Sequence, residues 1–231
     1  MSWLRRWLRR TVVLLVALAL VPFALLLLYR VEAVHPVSTL MVSHWMSGNG
    51  VRREWVEIED VSSNLKNAVI MSEDGRFCFH DGVDWGAVRE VVDEALDGGR
   101  TRGASTIAMQ TVKNLFLWNG RSFVRKGLEV PLALAADFIL GKRRLMEIYL
   151  NIAEWGRDGD TVVFGAQAGA KHHFGRSAAK LNGSQGGLMA VTLPAPAVRR
   201  AGRPRKGLAR LGRRAATRAA RSGAYVKCLY D

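Results

Sequence analysis

From Thr11 to Tyr29 the chain reads TVVLLVALALVPFALLLLY, an uninterrupted run without a charge. Wound as a helix at about 1.5 Å per residue, it covers roughly 30 Å, the depth of a bilayer's hydrocarbon. The competing reading, a cleaved leader, calls for an apolar stretch of about 7–15 residues that closes on a small-residue site. Here the run is longer and continues into Leu-Leu-Leu-Leu-Tyr-Arg, so an uncleaved membrane anchor is expected. Pro22 is tolerated as a local kink, because neighbouring groups re-satisfy the backbone it frees. Arg5, Arg6, Arg9 and Arg10 precede the span, whereas Arg30 is the one base between it and Arg52. That bias holds the N-terminus in the cytoplasm and sends the rest of the chain outward.

The remaining two hundred residues or so suit one globular domain, since 49% of the 231 residues are hydrophobic and 23% charged. The formal net charge is +14, and it is uneven: Arg199 to Lys227 holds eleven Lys or Arg and no acid. Such a run reads as a solvated face or, beside a membrane, as an attractor of anionic lipid. A domain displayed outside the cytoplasm has little nucleic acid to meet, so that partner is not expected. Cys78 and Cys228 are far apart, and an oxidising compartment permits a bridge between them without requiring one. No CxxC or paired-histidine spacing marks a metal site, and His172-His173 reads as a surface pair.

Organisation follows from periodicity. Residues 1–10 form a basic cytoplasmic end, 11–29 the anchor, 30–60 a juxtamembrane segment, 61–198 the catalytic-size domain and 199–231 a basic C-terminal segment. The stretch from Val31 to Gly50 carries an apolar side suited to the bilayer interface, with an ordinary linker as the alternative. DWGAVREVVDEALDGG predicts a helix capped by Asp84, with Trp85, Val88, Val92 and Leu96 on its apolar face. STIAMQTVKNLFLW predicts a second, with Ser105 or Thr106 as N-cap. A third is expected from Phe123 to Ile139 with a kink at Pro131, and KRRLMEIYLNIAEW supplies a fourth. Alternating strand runs are not evident, so the fold class is mainly α.

Three polar blocks stand among these helices: Glu73-Asp74 with His80 and Asp84; Ser105, Thr106, Gln110, Lys113 and Asn114; then Arg121, Arg125, Lys126 and Glu129. Gln110, Lys113 and Asn114 fall on one side of their helix, and Arg125 lies four residues before Glu129. A cationic surface with one unpaired carboxylate suits a reaction in which a hydroxyl attacks and a phosphate leaves. Taken singly, each pair reads as a surface ion pair worth about 0–1 kcal/mol.

Order and spacing make a stronger statement. EDGRFCFHDGVD, RGASTIAMQTVKNLFLW, RKGLE and KRRLMEIYLNIAEWG, followed by FGAQAGAKHHFGRSAAKL, resemble the successive motifs of the family 51 peptidoglycan glycosyltransferases. The likeness is greatest to the monofunctional biosynthetic transglycosylases and covers roughly Asn64 to Pro196. It implies a lysozyme-like, mainly helical domain with a small membrane-facing lobe, and lipid II as substrate, a disaccharide-pentapeptide on undecaprenyl diphosphate. Glu73 would take the proton from the acceptor GlcNAc 4-hydroxyl as that oxygen attacks the donor MurNAc, giving a β-1,4 bond. Lys113 and Arg121 would receive the departing diphosphate, with Arg125, Lys126 and Glu129 completing the second subsite. Glu129 would orient these cations or hold Mg2+ or Mn2+ near the diphosphate, and no cofactor is required. Ser105, Thr106, Gln110 and Asn114 would line the cleft and position sugars.

Asp74, His80 and Asp84 are expected to be structural, and Phe77 and Phe79 core or cleft wall. The resemblance also implies a bacterial inner membrane location, with the catalytic domain in the periplasm, the growing lipid-linked glycan as donor and other cell-wall synthesis proteins as partners. Departures from the family pattern are Met109 in place of a cleft amide, Gln167 in place of an acid, Gly186-Gly187 in a helix, and a slightly long EWGRDGDTVVFGA. Two other classes stand beside this reading: a lysozyme-like hydrolase or lytic transglycosylase, and a catalytically weak membrane-anchored scaffold. The hydrolase needs a carboxylic acid to protonate a sugar leaving group, whereas the second carboxylate here stands among arginines and lysines.

Overall fold

A computed structural model describes residues 2–98, 103–120 and 122–231. Arg121, expected at the site, lies outside the described residues. The first element, α1 (Ser2–Tyr29), is one continuous helix through Pro22 and is long and apolar enough to cross a membrane. Most of its apolar side chains are exposed, but Leu26 near its C-terminal end is fully buried. There α1 packs on α6 (Phe123–Ile152), and Tyr29 stacks on Phe116 of α5 (Ile107–Phe116). The anchor is therefore joined to the domain by packed side chains rather than by a loose tether.

The segment after it is structured, not a linker. Ser38 caps α2 (Thr39–Met46), and the Thr39 hydroxyl lies 3.0 Å from the Asn114 carbonyl and 2.6 Å from that of Leu117, so α2 is seated on the end of α5. Trp45 and Met46 point outward. The chain then contributes β1 (Gly50–Arg53) to a three-stranded sheet of order β1-β3-β2, which the sequence reading did not anticipate. The stretch that reads as a long loop after the fourth motif is a hairpin, β2 (Glu154–Asp158) and β3 (Thr161–Phe164). Four- and five-residue strands give too little alternation to stand out from loop, and β1 finds its parallel partner β3 more than a hundred residues away.

Helix α3 (Ser63–Glu73), capped by Ser62, buries Leu65, Val69 and Ile70 and ends at the first acid of the first motif. Asp84 caps α4 (Trp85–Leu96) and Thr106, not Ser105, caps α5. In α4 no residue is fully buried: of its predicted apolar face Val88 packs against the core, whereas Trp85, Val92 and Leu96 are exposed. The third and fourth predicted helices join as α6, and the break falls at Gly141 (φ 72°, ψ 164°) rather than at the expected Pro131. The last turn of the predicted fourth helix, Glu154-Trp155, is strand.

Around this core lie α7 (Ala166–Phe174), α8 (Gly183–Ala190) and α9 (Lys206–Ala220). The glycines that seem out of place in α8 have a packing reason. A Cβ on Gly186 would stand 2.7 Å from the Asn64 carbonyl oxygen of α3, and one on Gly187 would stand 2.4 Å from that of Gly212 in α9. Close helix approach thus outweighs the loss of about 1 kcal/mol in helix propensity. The basic C-terminal segment is no free tail: its arginines point out of α9 while Ala215 and Ala219 are buried, and α9 packs on α8 and α3. Gln167, in place of an acid, accepts the Ala178 backbone N–H at 2.8 Å.

The two cysteines meet. Cys78, four residues after Asp74, is bonded to Cys228 with a Cα–Cα distance of 5.6 Å across a sequence separation of 150. Closing so long a loop restricts the unfolded chain strongly. The double variant Cys78→Ser/Cys228→Ser is expected to lose about 2–5 kcal/mol of stability, read from the shift in denaturant midpoint. An unchanged midpoint under non-reducing conditions would show that the bond contributes nothing.

Candidate active site

The site is assembled where the C-terminal end of α3 meets the N-terminal half of α5. Asp74 makes that junction. Its Oδ2 accepts the Ile107 N–H at 2.9 Å, satisfying one of the donors that a helix start leaves without a partner. Its Oδ1 accepts His80 Nε2 at 2.9 Å. Asp74 is 8% exposed, so neither oxygen is offered to a ligand. Thr106 is committed in the same way: it is 2% exposed, donates to the Gly82 carbonyl at 2.6 Å and accepts from Met109 N–H. The expectation that Thr106 lines the cleft is corrected, because its hydroxyl belongs to the frame. Gly82 permits this turn (φ 81°), since a Cβ there would lie 2.4 Å from the Ala133 carbonyl oxygen. Asp84, besides capping α4, faces Arg76 at 3.6 Å, so Asp74, His80 and Asp84 are structural as expected. Phe77 is core, while Phe79 is exposed against Tyr225.

On this frame Glu73 is half-buried and faces Gln110, whose Nε2 donates to Glu73 Oε2 at 3.2 Å. The Tyr149 hydroxyl donates to Gln110 Oε1 at 3.1 Å, which fixes the amide with its NH2 toward the carboxylate. Among the described residues nothing hydrogen-bonds Glu73 Oε1, so one oxygen of a buried carboxylate is left to act. Burial raises the Glu73 pKa above its ordinary value. Gln110, Arg199 and Lys113 oppose that rise, and Asp74 adds to it. A carboxylate shifted toward neutrality is the better proton acceptor. Tyr149 is pushed well up by burial and by Glu73 and Asp74, so it remains a donor.

The cations lie along the same cleft. Burial lowers the Lys113 pKa; Glu129 and Glu73 oppose this, while Arg125 and Lys126 reinforce it. Lys113 therefore feels both the Glu73 end and the RKGLE end of the site, and it makes no ion pair with a described residue. Lys113 and Asn114 line two neighbouring hollows of about 290 and 310 Å3, the first reaching Gln110, Tyr149 and Arg157, the second reaching Thr39 and Trp118.

Lys126 Nζ reaches Ser105 Oγ at 2.7 Å and Glu129 Oε2 at 3.0 Å, and Arg125 pairs with Glu129 Oε1. At 2% exposure, with each oxygen paired to a cation, Glu129 holds Arg125 and Lys126 in place. Of the roles expected for it, this geometry displays that of orienting the cations. A resident divalent ion does not fit there, because it would have to displace those two cations. Among the described residues no group of three or more His, Cys, Asp or Glu is placed to hold a metal.

Two residues went unassigned in the sequence. Tyr149 lies within the fourth motif, but nothing local shows that it points at Gln110 from another helix. Arg199 belongs to the basic run, yet its Nη1 donates to the Val191 carbonyl at 2.7 Å, and its charge reaches Glu73. Met109, expected to replace a cleft amide, is 2% exposed and sits under Lys126 in the core, so the substitution leaves the cleft lining alone.

A transglycosylase family model matches residues 40–220. The chain is 56% identical over 223 residues to a biosynthetic peptidoglycan transglycosylase of Rhizobium meliloti, covering 96% of this chain and 93% of that one. A protein of the same description from Brucella suis is 56% identical over 216 residues, covering 94% and 95%. Another from Agrobacterium fabrum is 53% identical over 223 residues, covering 96% and 97%.

Because the folded-state pKa of Glu73 lies above the ordinary 4.5, its ionised form costs the native state stability. The favourable contribution of the neutral form is present below about 4.5 and is lost as pH rises through the folded value. Glu73→Gln is therefore expected to raise the melting temperature at pH 7 and to leave it unchanged at pH 4. A variant less stable than the parent at pH 7 would contradict the burial argument.

Proposed function

The chain belongs to the transglycosylase family and is a peptidoglycan glycosyltransferase, and we propose that its cleft polymerises lipid II by a single in-line displacement with Glu73 as base. The observation that carries this reading is the pairing of one buried carboxylate, free at Oε1, with a lysine that has no anionic partner of its own among the described residues. The acceptor 4-hydroxyl gives its proton to Glu73 as its oxygen bonds to the anomeric carbon of the lipid-linked donor. The bond from that carbon to the diphosphate breaks, and the electron pair leaves with undecaprenyl diphosphate. The leaving group departs as an anion, so it needs charge stabilisation rather than a proton. Lys113 supplies that charge, and Arg121 is proposed beside it. Glu73 then returns its proton to solvent.

The rest of the constellation positions. Gln110 holds Glu73 Oε2, Asn114 and Ser105 face the cleft, and Glu129 fixes Arg125 and Lys126 as a second cationic subsite. A hydrolysis run by the usual pair of carboxyl groups would need a second one with access to the scissile bond, and Glu129 has both oxygens paired to cations.

The membrane belongs to this reading. Phe123 and Phe138 are 99% and 91% exposed, and with Val124, Leu128 and Leu134 they form an apolar outer side of α6; Trp85, Val92 and Leu96 of α4 are exposed as well. So much apolar surface marks a region that leaves water, and here it is proposed as a lobe dipping into the bilayer next to α1. The substrate's long lipid would then stay in hydrocarbon while its diphosphate meets Lys113. The basic residues before the span support an orientation with the N-terminus in the cytoplasm and the catalytic domain in the periplasm.

Full-length protein in detergent with lipid II is expected to form glycan strands. Glu73→Gln should lower the rate by about 10²–10⁴-fold, in the range of a lost general base. Polymer from Glu73→Gln at the parent's rate would remove Glu73 from the mechanism. The rate should fall as pH drops through the raised Glu73 value, and Gln110→Leu, which removes a bond to the charged form, should move that limb to higher pH. A limb that stays in place would separate Gln110 from the base.

A further inference from the structure

Where α1 leaves the apolar run, a cavity of about 540 Å3 opens that shares no residue with the reaction cleft. Its wall is built on a buried ion pair. Arg144 donates through Nε to the Tyr29 carbonyl at 2.9 Å and through Nη2 to those of Val31 and Val34 at 3.0 and 2.6 Å. A carbonyl in the last turn of the anchor, which a helix leaves without a partner, is thus capped from α6. Arg144 also pairs with Glu147 Oε1, and Glu147 Oε2 accepts the Ile58 N–H at 3.0 Å. Arg144 and Glu147 are 8% and 4% exposed. They fix the segment carrying Arg30 and Glu32 against the turn carrying Glu57 and Glu59.

The charges lining this cavity divide unevenly. Arg144 is spent on Glu147, and Arg143 on Glu59 and the Leu229 carbonyl. His35 stands 3.8 Å from Glu57, beyond hydrogen-bond reach. What remains for a ligand is one cation, Arg30, and two carboxylates, Glu32 and Glu57. Arg30 and Glu32 make no ion pair with a described residue, and all three side chains are exposed.

The place and the charge pattern restrict the ligand. At the end of a membrane span the most concentrated polar species is the phospholipid headgroup. A headgroup that is purely anionic would meet the surplus of carboxylates, although the chain as a whole carries +14. A headgroup with a phosphodiester and a primary ammonium matches one arginine and two glutamates, and the ammonium brings three donors for their oxygens. We infer that this cavity binds the phosphoethanolamine headgroup of a zwitterionic phospholipid, with the phosphate on Arg30 and the ammonium on Glu32 and Glu57. Such a lipid would pin the domain at a set height on the bilayer independently of the substrate.

Native mass spectrometry of the full chain in mild detergent, with phosphatidylethanolamine or phosphatidylglycerol added at equal concentration, tests this directly. The parent is expected to retain one phosphatidylethanolamine at least about fivefold more than phosphatidylglycerol, a difference near 1 kcal/mol. Glu32→Gln/Glu57→Gln should abolish that preference, and Arg30→Gln should lower retention of both lipids. Glu32→Gln alone, an exposed single change, serves if the double variant does not fold and should at least halve the preference. Equal retention of the two lipids by the parent, or an undiminished preference in the glutamine variants, overturns the assignment.

Discussion

The carboxylate of Asp74 sets the relation on which the site depends. One oxygen is bound to the first amide of α5 and the other to His80, so the end of α3 and the start of α5 are held at one distance. Hydrogen bonds to a charged group contribute about 1.5–3 kcal/mol each, more than a surface ion pair, and both of these are shielded from water. Glu73 is the neighbouring residue, so its position relative to Gln110 and Lys113 follows from that clamp. The disulfide from Cys78 holds the following loop from the other side. A carboxylate on a helix end is thereby held by two fixed neighbours.

The second device is a division of charge. Burial raises the Glu73 pKa, and with no salt bridge and a single amide donor opposing that rise, one oxygen stays available. Glu129 is treated in the opposite way, buried and saturated by Arg125 and Lys126. Two glutamates of identical chemistry thus acquire different surroundings, one with an oxygen left open and one saturated by cations. Lys113 stands between them and is coupled electrostatically to both.

The long apolar helix α1 is part of the fold rather than an addition to it. Leu26 and Tyr29 of α1 pack on the domain, Arg144 caps its end, and α4 and α6 carry further apolar side chains that face outward.

Much of this was legible in the chain. The uncharged run from Thr11 to Tyr29, the caps at Asp84 and Thr106, the helical periodicity of α5 and the ordered polar blocks are local patterns, and local patterns survive in a linear reading. The blocks also identified Glu73, Gln110 and Lys113 as neighbours through their resemblance to known motifs. Tertiary structure decided what depends on partners distant in sequence. It made Thr106 frame rather than cleft, paired Glu129 with two cations and put Met109 in the core. It joined the short strands into a sheet, brought Tyr149 and Arg199 to the site, and paired Cys78 with Cys228. The physical reason is that residue type sets what a side chain is able to do, whereas burial and the count of donors around it, which only packing creates, set what it does.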